Sequence, residues 1–193
     1  MTRLSEIGVA AELRARACAG DEAARAEIYA ALAPATFGLI RRLIGRRAEA
    51  EDVFQETMMT CFERLAEFRA EAPLGAWLRQ IALSRCFMYL RHPWRRARLC
   101  LESAADAAAP AGLALVTTGI APEALDLERA LATLTPTARA VVWMYEVEGY
   151  SHAEIAGAFG RSVSFSKSQL ARAHARLRAW YEPEEARQPC TPI

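Results

Sequence analysis

The sequence predicts an all-α protein made of two small helical domains joined by a flexible linker. Alanine is abundant, β-branched residues are sparse outside short runs, and glycine is low at 10 of 193 residues, which together favour helix over strand. A hydrophobic fraction of 53% with 24% charged residues suffices for ordinary globular cores. Because this length permits one large or two small domains, the order of the periodic segments decides between them.

The N-terminal half carries the first set of predicted helices. Asp21 is an N-cap, and Pro34 marks a kink or a break between two helices whose apolar residues are Ile28, Leu32, Leu39, Ile40, Leu43 and Ile44. An otherwise acidic helix then carries one apolar stripe, formed by Val53, Phe54, Thr57, Met58, Cys61, Phe62, Leu65 and Phe68. After Pro73, another amphipathic helix runs to about His92, with Leu74, Trp77, Leu78, Ile81 and Ala82 on its apolar side.

A linker separates the two sets of helices. The stretch from Leu99 to Pro122 has no basic residue, no helical periodicity, two glycines and prolines at positions 110 and 122. We therefore place a first domain at residues 1–94, the linker at 95–122, a second domain at 123–182 and a tail at 183–193.

The second domain begins with a helix over residues 124–134. Thr135 and Pro136 supply an N-cap followed by proline at the first helical position, and the next helix turns four residues inward, namely Ala138, Val141, Val142 and Tyr145.

The strongest local motif is a predicted helix-turn-helix. Ser151 and Glu154 have the spacing of a capping box, Ile155, Ala156 and Phe159 give the short helix a buried face, and residues 160–162 form a glycine turn. A longer helix follows over residues 163–180, with Leu170, Ala173, Leu177 and Trp180 toward the core. Its other face carries Ser164, Lys167, Ser168, Arg172 and Arg176. Such a helix fits a DNA major groove, although an ordinary helical hairpin has the same apolar spacing.

The charges are segregated along the chain, although the net charge is only +1. Residues 49–71 contain seven acidic residues and two arginines. Residues 79–98 contain six arginines and no acidic residue, and residues 161–178 are likewise basic without an acidic residue. Two basic faces indicate contact with a polyanion, and the acidic stretch indicates a different, basic partner. For a single run we would favour a solvated helix face, so only the combination is informative.

Catalysis and cofactor binding have little support in the sequence. His92, His152 and His174 stand on different predicted elements and are expected to be surface or helix-end polar residues, and no phosphate loop or nucleophile elbow is present. Five cysteines without a CxxC pair favour reduced packing thiols. We expect no enzyme activity, no cofactor, no metal and no small-molecule substrate. A signal peptide and any apolar run of about 18 residues are lacking, so we expect a cytoplasmic protein without membrane insertion.

The combination of segments resembles the extracytoplasmic-function (ECF) sigma factors of the sigma-70 class. Their C-terminal region is similar to LTPTARAVVWMYEVEGYSHAEIAGAFGRSVSFSKSQLARAHARL, their core-binding region to AEAEDVFQETMMTCFERLAEF and their promoter-melting helix to GAWLRQIALSRCFMYLRH. The resemblance covers about residues 20–94 and 123–180, in the family's order. It implies a dissociable bacterial subunit that directs core RNA polymerase to promoter DNA and initiates transcription, controlled by an anti-sigma factor.

The resemblance also implies roles for residues of the first domain. Asp52, Gln55 and Glu56 would bind the clamp helices of core polymerase. The loop over residues 69–75 and the helix after it would handle the minus-ten element, through Arg79, Ser84, Arg85, Phe87, Met88 and Arg91. A basic surface interleaved with Trp77, Phe87, Tyr89 and Trp94 would hold unpaired bases. Core packing is the alternative, which we favour for Trp77 and leave open for Phe87.

In the second domain, the resemblance implies that the recognition helix reads the minus-thirty-five element. The contact residues would be Arg161, Ser164, Lys167, Ser168, Gln169, Arg172 and Arg176.

Several residues depart from the family's pattern. Ser84 stands where Asn is usual, Met88 where Asp is usual, and Gln169 where arginine is common, so promoter preference does not carry over. Phe165 and Ser166 replace a typical Thr-Val pair. Either Phe165 fills the core in place of valine, with a shifted helix start, or the helix binds DNA weakly; we favour the first.

Two other functions remain open at this point. One is a helix-turn-helix regulator that binds duplex DNA without polymerase, and the other is a sigma-like mimic that sequesters an anti-sigma factor. A gel shift with and without core polymerase separates the three.

Overall fold

The computed structural model of the chain divides into two compact units, Met1–Arg95 and Arg96–Ile193. It describes residues 3–91 and 122–181, with side chains from residue 126 in the second range. These residues form eight α-helices and no strand. The predicted linker before Pro122, the tail at 183–193, His92, Trp94, Cys100 and Cys190 lie outside the described residues.

The first unit is a small bundle of four helices. They are α1 (Ala11–Cys18), α2 (Glu22–Ile44), α3 (Arg47–Glu63) and α4 (Leu74–Arg91). Short 3-10 turns at Leu4–Glu6 and Leu65–Glu67 precede α1 and follow α3. Helices α2, α3 and α4 pack against one another around fully buried aliphatic side chains, which include Ile28, Leu32, Ile40, Leu43, Leu78, Leu83 and Leu90.

Helix α2 begins as predicted but does not break at Pro34. The Asp21 side chain accepts a hydrogen bond from the backbone N–H of Ala24 at 3.1 Å, which confirms the N-cap. The helix then continues through Pro34 to Ile44, so the predicted pair of helices is one. Pro34 has no backbone N–H to donate to the carbonyl oxygen of Ala30. Both residues are exposed, so a water molecule can donate to that carbonyl instead.

The second unit surrounds one long helix. Its elements are α5 (Pro122–Ala132), α6 (Pro136–Val142), a π-helical turn (Trp143–Val147), α7 (His152–Phe159) and α8 (Val163–Tyr181). Helix α8 packs against α5, α6 and α7. The Thr135 hydroxyl accepts from the N–H of Ala138 at 3.3 Å, with Pro136 in the first turn, as the sequence predicted.

A buried arginine joins α5 to α6. Arg139 is buried, and its guanidinium donates to the carbonyl oxygens of Leu131 at 2.9 Å and Leu134 at 3.2 Å. Carbonyls at a helix end lack intrahelical partners, so this side chain satisfies groups that burial would otherwise leave unpaired. The basic residue is therefore part of the core, a role that the sequence pattern did not predict.

Two residues predicted to point inward, Tyr145 and Trp180, are each 38% exposed. Tyr145 lies in the π-helical turn, where the wider winding gives the buried position to Met144 instead. Trp180 lies in the last turn of α8 and contacts Tyr181, with ring centroids 4.8 Å apart. Both predictions assumed a regular α-helix packed along its whole length.

Candidate nucleic-acid and partner interfaces

Helices α7 and α8 form the predicted helix-turn-helix. Ser151 and Glu154 close a capping box, in which the Glu154 carboxylate accepts from the Ser151 N–H at 2.8 Å and the Ser151 hydroxyl accepts from the Glu154 N–H at 3.3 Å. The hydrogen bonds from the Ser151 side chain and backbone hold the pKa of Glu154 below its ordinary value. Helix α7 ends at Phe159, and its C-cap residue Gly160 has a φ of 60°, in the left-handed region that favours glycine.

The outer face of α8 is polar and basic. Ser164, Ser168, Arg172 and Arg176 follow one another at four-residue spacing, all are exposed, and Lys167 is exposed beside them. Arg161 is exposed in the turn with its guanidinium 5.9 Å from the ring centroid of Phe165, and Gln169 is half-buried.

The cationic side chains of α8 are available for a ligand. Lys167 and Arg176 pair with no carboxylate in the described ranges, and Arg172 donates only to the carbonyl of Ser168, at 3.2 Å. This face presents cations and hydroxyls together, a combination that suits phosphate and base edges.

Beneath this face, a polar contact joins α7 to α8. Ser166 is fully buried, and its hydroxyl oxygen lies 3.0 Å from Nδ1 of His152. The helix starts at Val163, as the sequence predicted. Phe165 is half-buried against Phe159, with ring centroids 5.9 Å apart. Ser166, rather than Phe165, therefore occupies the fully buried place in the turn.

The π-helical turn is tied to the same two helices. The ring of Tyr145 stacks on His152, with centroids 4.6 Å apart and planes inclined by 19°, and His174 of α8 lies 3.0 Å from the Glu146 carboxylate. His152 is the first residue of α7 and is half-buried, so it stands at a helix end as the sequence predicted, and it also contacts Tyr145 and Ser166. The burial of Ser166 could have been predicted from the sequence, because Ser166 stands four residues before Leu170 and therefore on the buried face of α8.

The acidic surface lies on α3, and we define it by Asp52, Gln55 and Glu56. All three side chains are exposed, whereas Val53, Thr57 and Met58 of the same helix are buried. Asp52 forms no ion pair with any residue that the structure describes.

The predicted minus-ten residues on α4 do not share one environment. Ser84, Met88 and Arg91 are exposed, Arg79 and Arg85 are half-buried, and Phe87 is 8% exposed. Tyr89 is equally buried, and Trp77 is half-buried with its ring centroid 5.5 Å from that of Phe68. Phe87 and Tyr89 therefore pack in the core, and their burial does not support a role in holding bases.

Arg85 joins the basic helix to the acidic surface. Its Nη2 donates to the Thr60 hydroxyl at 2.8 Å, and its Nη1 lies 3.7 Å from a Glu56 carboxylate oxygen. The two surfaces that the sequence predicted as separate are therefore neighbours in the first unit. The resemblance to the family implied roles for Arg85 and Glu56, but the spacing of residues in the sequence did not predict that the two side chains meet.

Metal sites and membrane spans are both lacking among the described residues. No three side chains among His, Cys, Asp and Glu are grouped to hold a metal ion there. Over the same part of the chain, no helix is long and apolar enough to span a bilayer.

Comparison with known protein families matches both units. The family described as Sigma-70 region 2 matches residues 28–96, and the family described as Sigma-70, region 4, matches residues 124–177. The ECF RNA polymerase sigma factor SigM of Mycobacterium tuberculosis is 31% identical over 167 residues, which cover 86% of this chain and 82% of SigM. The RNA polymerase sigma factor CnrH of Cupriavidus metallidurans is 28% identical, over 86% of this chain and 91% of CnrH.

Among solved structures, the fold is similar to that of the sigma factor RpoE from Bartonella quintana, crystallised with the anti-sigma factor NepR. The TM-score is 0.50, with 22% identity over 80% of this chain and 94% of that chain. The family matches, the relatives and the all-helical fold agree, and the chain belongs to the ECF sigma factors of RNA polymerase, in the sigma-70 family.

Proposed function

We propose that this chain is the promoter-specificity subunit of a bacterial RNA polymerase, which binds the core enzyme, directs it to promoters and initiates transcription. One observation carries this proposal. Within a chain of this family, an exposed cationic helix stands in one unit and an exposed acidic helix in the other, so nucleic acid and a protein partner each have a surface of suitable charge.

The minus-thirty-five element is the proposed ligand of α8. The row from Ser164 to Arg176, with Lys167 beside it, presents hydroxyls and cations to a major groove, and the turn at Gly160 sets the angle between α7 and α8. Arg161 and Gln169 are proposed as flanking contacts. The buried Ser166 favours a well-placed recognition helix over a weakly binding one, because its hydrogen bond to His152 ties α8 to α7.

Core polymerase is the proposed partner of the acidic surface on α3. Carboxylates repel DNA phosphates, so Asp52 and Glu56 suit a basic protein surface and keep this helix off the promoter. The minus-ten element is the proposed ligand of α4 and of the loop before it, through the exposed Ser84, Met88 and Arg91 and the half-buried Arg79 and Arg85.

The remaining parts of the proposal follow from this role. Sigma factors are transcription initiation factors without catalytic activity of their own, and we propose the same for this chain. An anti-sigma factor is the proposed inhibitor, as in the complex of RpoE with NepR. The proposed location is the cytoplasm, where polymerase and promoters meet.

Selection from a random-sequence duplex pool tests the function and lets the chain itself choose the promoter sequence. The pool is incubated with the chain alone, with core polymerase alone and with both, and the retained DNA is sequenced. The proposed function predicts enrichment of a two-block motif only when both proteins are present. Transcription from an enriched fragment should likewise require both.

The alternatives give different results in the same experiment. A helix-turn-helix regulator would enrich a motif without polymerase, and addition of core enzyme would not change that motif. A mimic that sequesters an anti-sigma factor would enrich nothing in any arm. Either result would overturn the proposed function.

A further inference from the structure

The loop between the 3-10 turn after α3 and the start of α4, residues 68–73, lies mostly at the surface. Residues 69–73 are exposed, and Ala70 has a φ of 58°, in the left-handed region that residues other than glycine rarely adopt. Such a conformation persists where the surroundings hold it in place. The loop precedes α4, the helix that we propose contacts the minus-ten element. Contacts that fix the position of the loop therefore affect promoter opening.

The C-terminal end of the loop is held through Gly75, in the first turn of α4, which contacts the N-terminal segment. The N–H of Gly75 donates to the carbonyl of Ile7 at 2.9 Å, and the 3-10 turn containing the buried Leu4 packs against α4. A Cβ atom at position 75 would collide with the carbonyl oxygen of Leu4 and lie 3.0 Å from that of Ile7. Only glycine therefore admits this backbone contact.

The start of the loop at Phe68 is held by α1. The guanidinium of Arg14 lies over the Phe68 ring, 5.3 Å from its centroid, and α1 contacts the 3-10 turn at Leu65–Glu67. Phe68 in turn packs on Trp77 of α4. Both ends of the loop are thus held by residues that precede α2, whereas the match to Sigma-70 region 2 begins at residue 28.

We propose that residues 4–14 are a positioning element for the minus-ten contact, acting through the loop that they hold at Phe68 and Gly75. This inference rests on the proposed function. The segment sets where the loop and the first turn of α4 meet unpaired DNA. The acidic surface of α3 and the recognition helix α8 do not depend on it, so its loss impairs DNA holding at the minus-ten element and leaves core binding intact.

Gly75→Ala in the full chain tests the contact, with Gly38→Ala as the matched control. Both add one methyl group within a helix of the first unit, but a Cβ at position 38 would meet only the end of the Arg42 side chain, at 3.7 Å. The probe is a forked duplex, taken from a fragment that the holoenzyme enriches, with 2-aminopurine in its unpaired minus-ten strand. We expect Gly75→Ala to weaken forked-DNA binding by about tenfold, with core affinity unchanged and Gly38→Ala near wild type.

Arg14→Ala is the second variant, because it loosens the other end of the loop without a backbone clash. Its control is Arg16→Ala, which removes the same charge from the same helix but breaks a pair with Asp21. We expect Arg14→Ala to weaken forked-DNA binding more than Arg16→Ala does.

Three results would overturn the account, and they are distinguishable. Equal forked-DNA binding by Gly75→Ala and Gly38→Ala, together with equal binding by the two arginine variants, would remove the positioning role. A parallel loss of core affinity in Gly75→Ala would make the contact a general requirement of the fold. A wild-type holoenzyme that bound forked DNA no better than closed duplex would instead overturn the proposed function itself.

Discussion

Nδ1 of His152 lies 3.0 Å from the hydroxyl oxygen of Ser166, which is fully buried where α7 meets α8. The neighbouring contacts in this turn are apolar, since Ile155, Phe159 and Leu170 are also buried. A hydroxyl buried among apolar side chains lowers the stability of the fold unless it has a hydrogen-bond partner. The imidazole supplies that partner, so the angle of the recognition helix depends on a polar pair.

The first prediction concerns the coupling of these two residues. His152→Ala leaves the buried hydroxyl unpaired and should destabilise the second unit by about 1–3 kcal/mol, whereas Ser166→Ala removes the need for the partner and should cost less. Urea unfolding of both single variants and the double variant should give a coupling of about 1 kcal/mol. Strict additivity of the two changes would show that the contact contributes nothing.

The helix-turn-helix was predictable because its signals are local. The Ser151–Glu154 capping box and the turn glycine each act within one helical turn, and both are confirmed. The apolar spacing of α8 correctly predicted that Leu170 and Ala173 are buried, although Trp180 is exposed. The pairing of His152 with Ser166 joins residues 14 positions apart, and its geometry depends on how α7 packs on α8. Spacing alone could mark Ser166 as buried but could not name its partner.

The second prediction concerns the outer face of α8. Arg172→Ala removes an exposed guanidinium from the outer face of α8 and should weaken promoter binding by the holoenzyme by about 1–3 kcal/mol. A gel shift with an enriched fragment measures the loss. The control is Arg129→Ala, which removes an exposed arginine of α5 that pairs with Asp126 at 3.6 Å. Equal losses in the two variants would contradict a recognition role for this face.

The third prediction concerns the cysteines of the first unit. Burial raises the pKa of the Cys61 thiol to about 11 and also raises the pKa of Cys86, whereas Cys18 is exposed. Because only the thiolate reacts with iodoacetamide, the folded chain at pH 8 should be alkylated at Cys18 and spared at Cys61 and Cys86. Peptide mass spectrometry with and without urea measures this.

The same thiols give a pH dependence with a definite sign. The folded-state pKa of Cys61 lies above its ordinary value of 9.0, so stability is lost as the pH rises from about 9 to 11. The Cys61→Ala variant should lose less stability over that interval. Alkylation of folded Cys61 as fast as Cys18 would contradict its place in the core.

The interfaces of the first unit were less predictable than its helices. The apolar stripe of α3 correctly separated the buried Val53 and Met58 from the exposed Asp52 and Gln55. On α4, both apolar and basic residues surround the helix, so periodicity could not tell that Phe87 is buried while Met88 is exposed. The contact of Arg85 with Thr60 and the close approach of Leu4 to Gly75 depend on tertiary packing, which no local pattern encodes.

The fourth prediction concerns the acidic surface, and it tests the division of charge between the two partners. Asp52→Ala removes an exposed carboxylate of α3 and should weaken affinity for core polymerase by roughly tenfold. Glu27→Ala, which removes an exposed acid of α2 outside that surface, is the control and should bind core polymerase as the wild type does.

The most direct measurement is the affinity of Asp52→Ala for core polymerase, followed by promoter binding at saturating core enzyme. If α3 binds the polymerase and the arginine-bearing helices bind DNA, the affinity for core polymerase falls, while promoter binding at saturating core enzyme stays at the wild-type value. Unchanged core affinity, or a loss of promoter binding that saturating core enzyme does not restore, would contradict this division of roles.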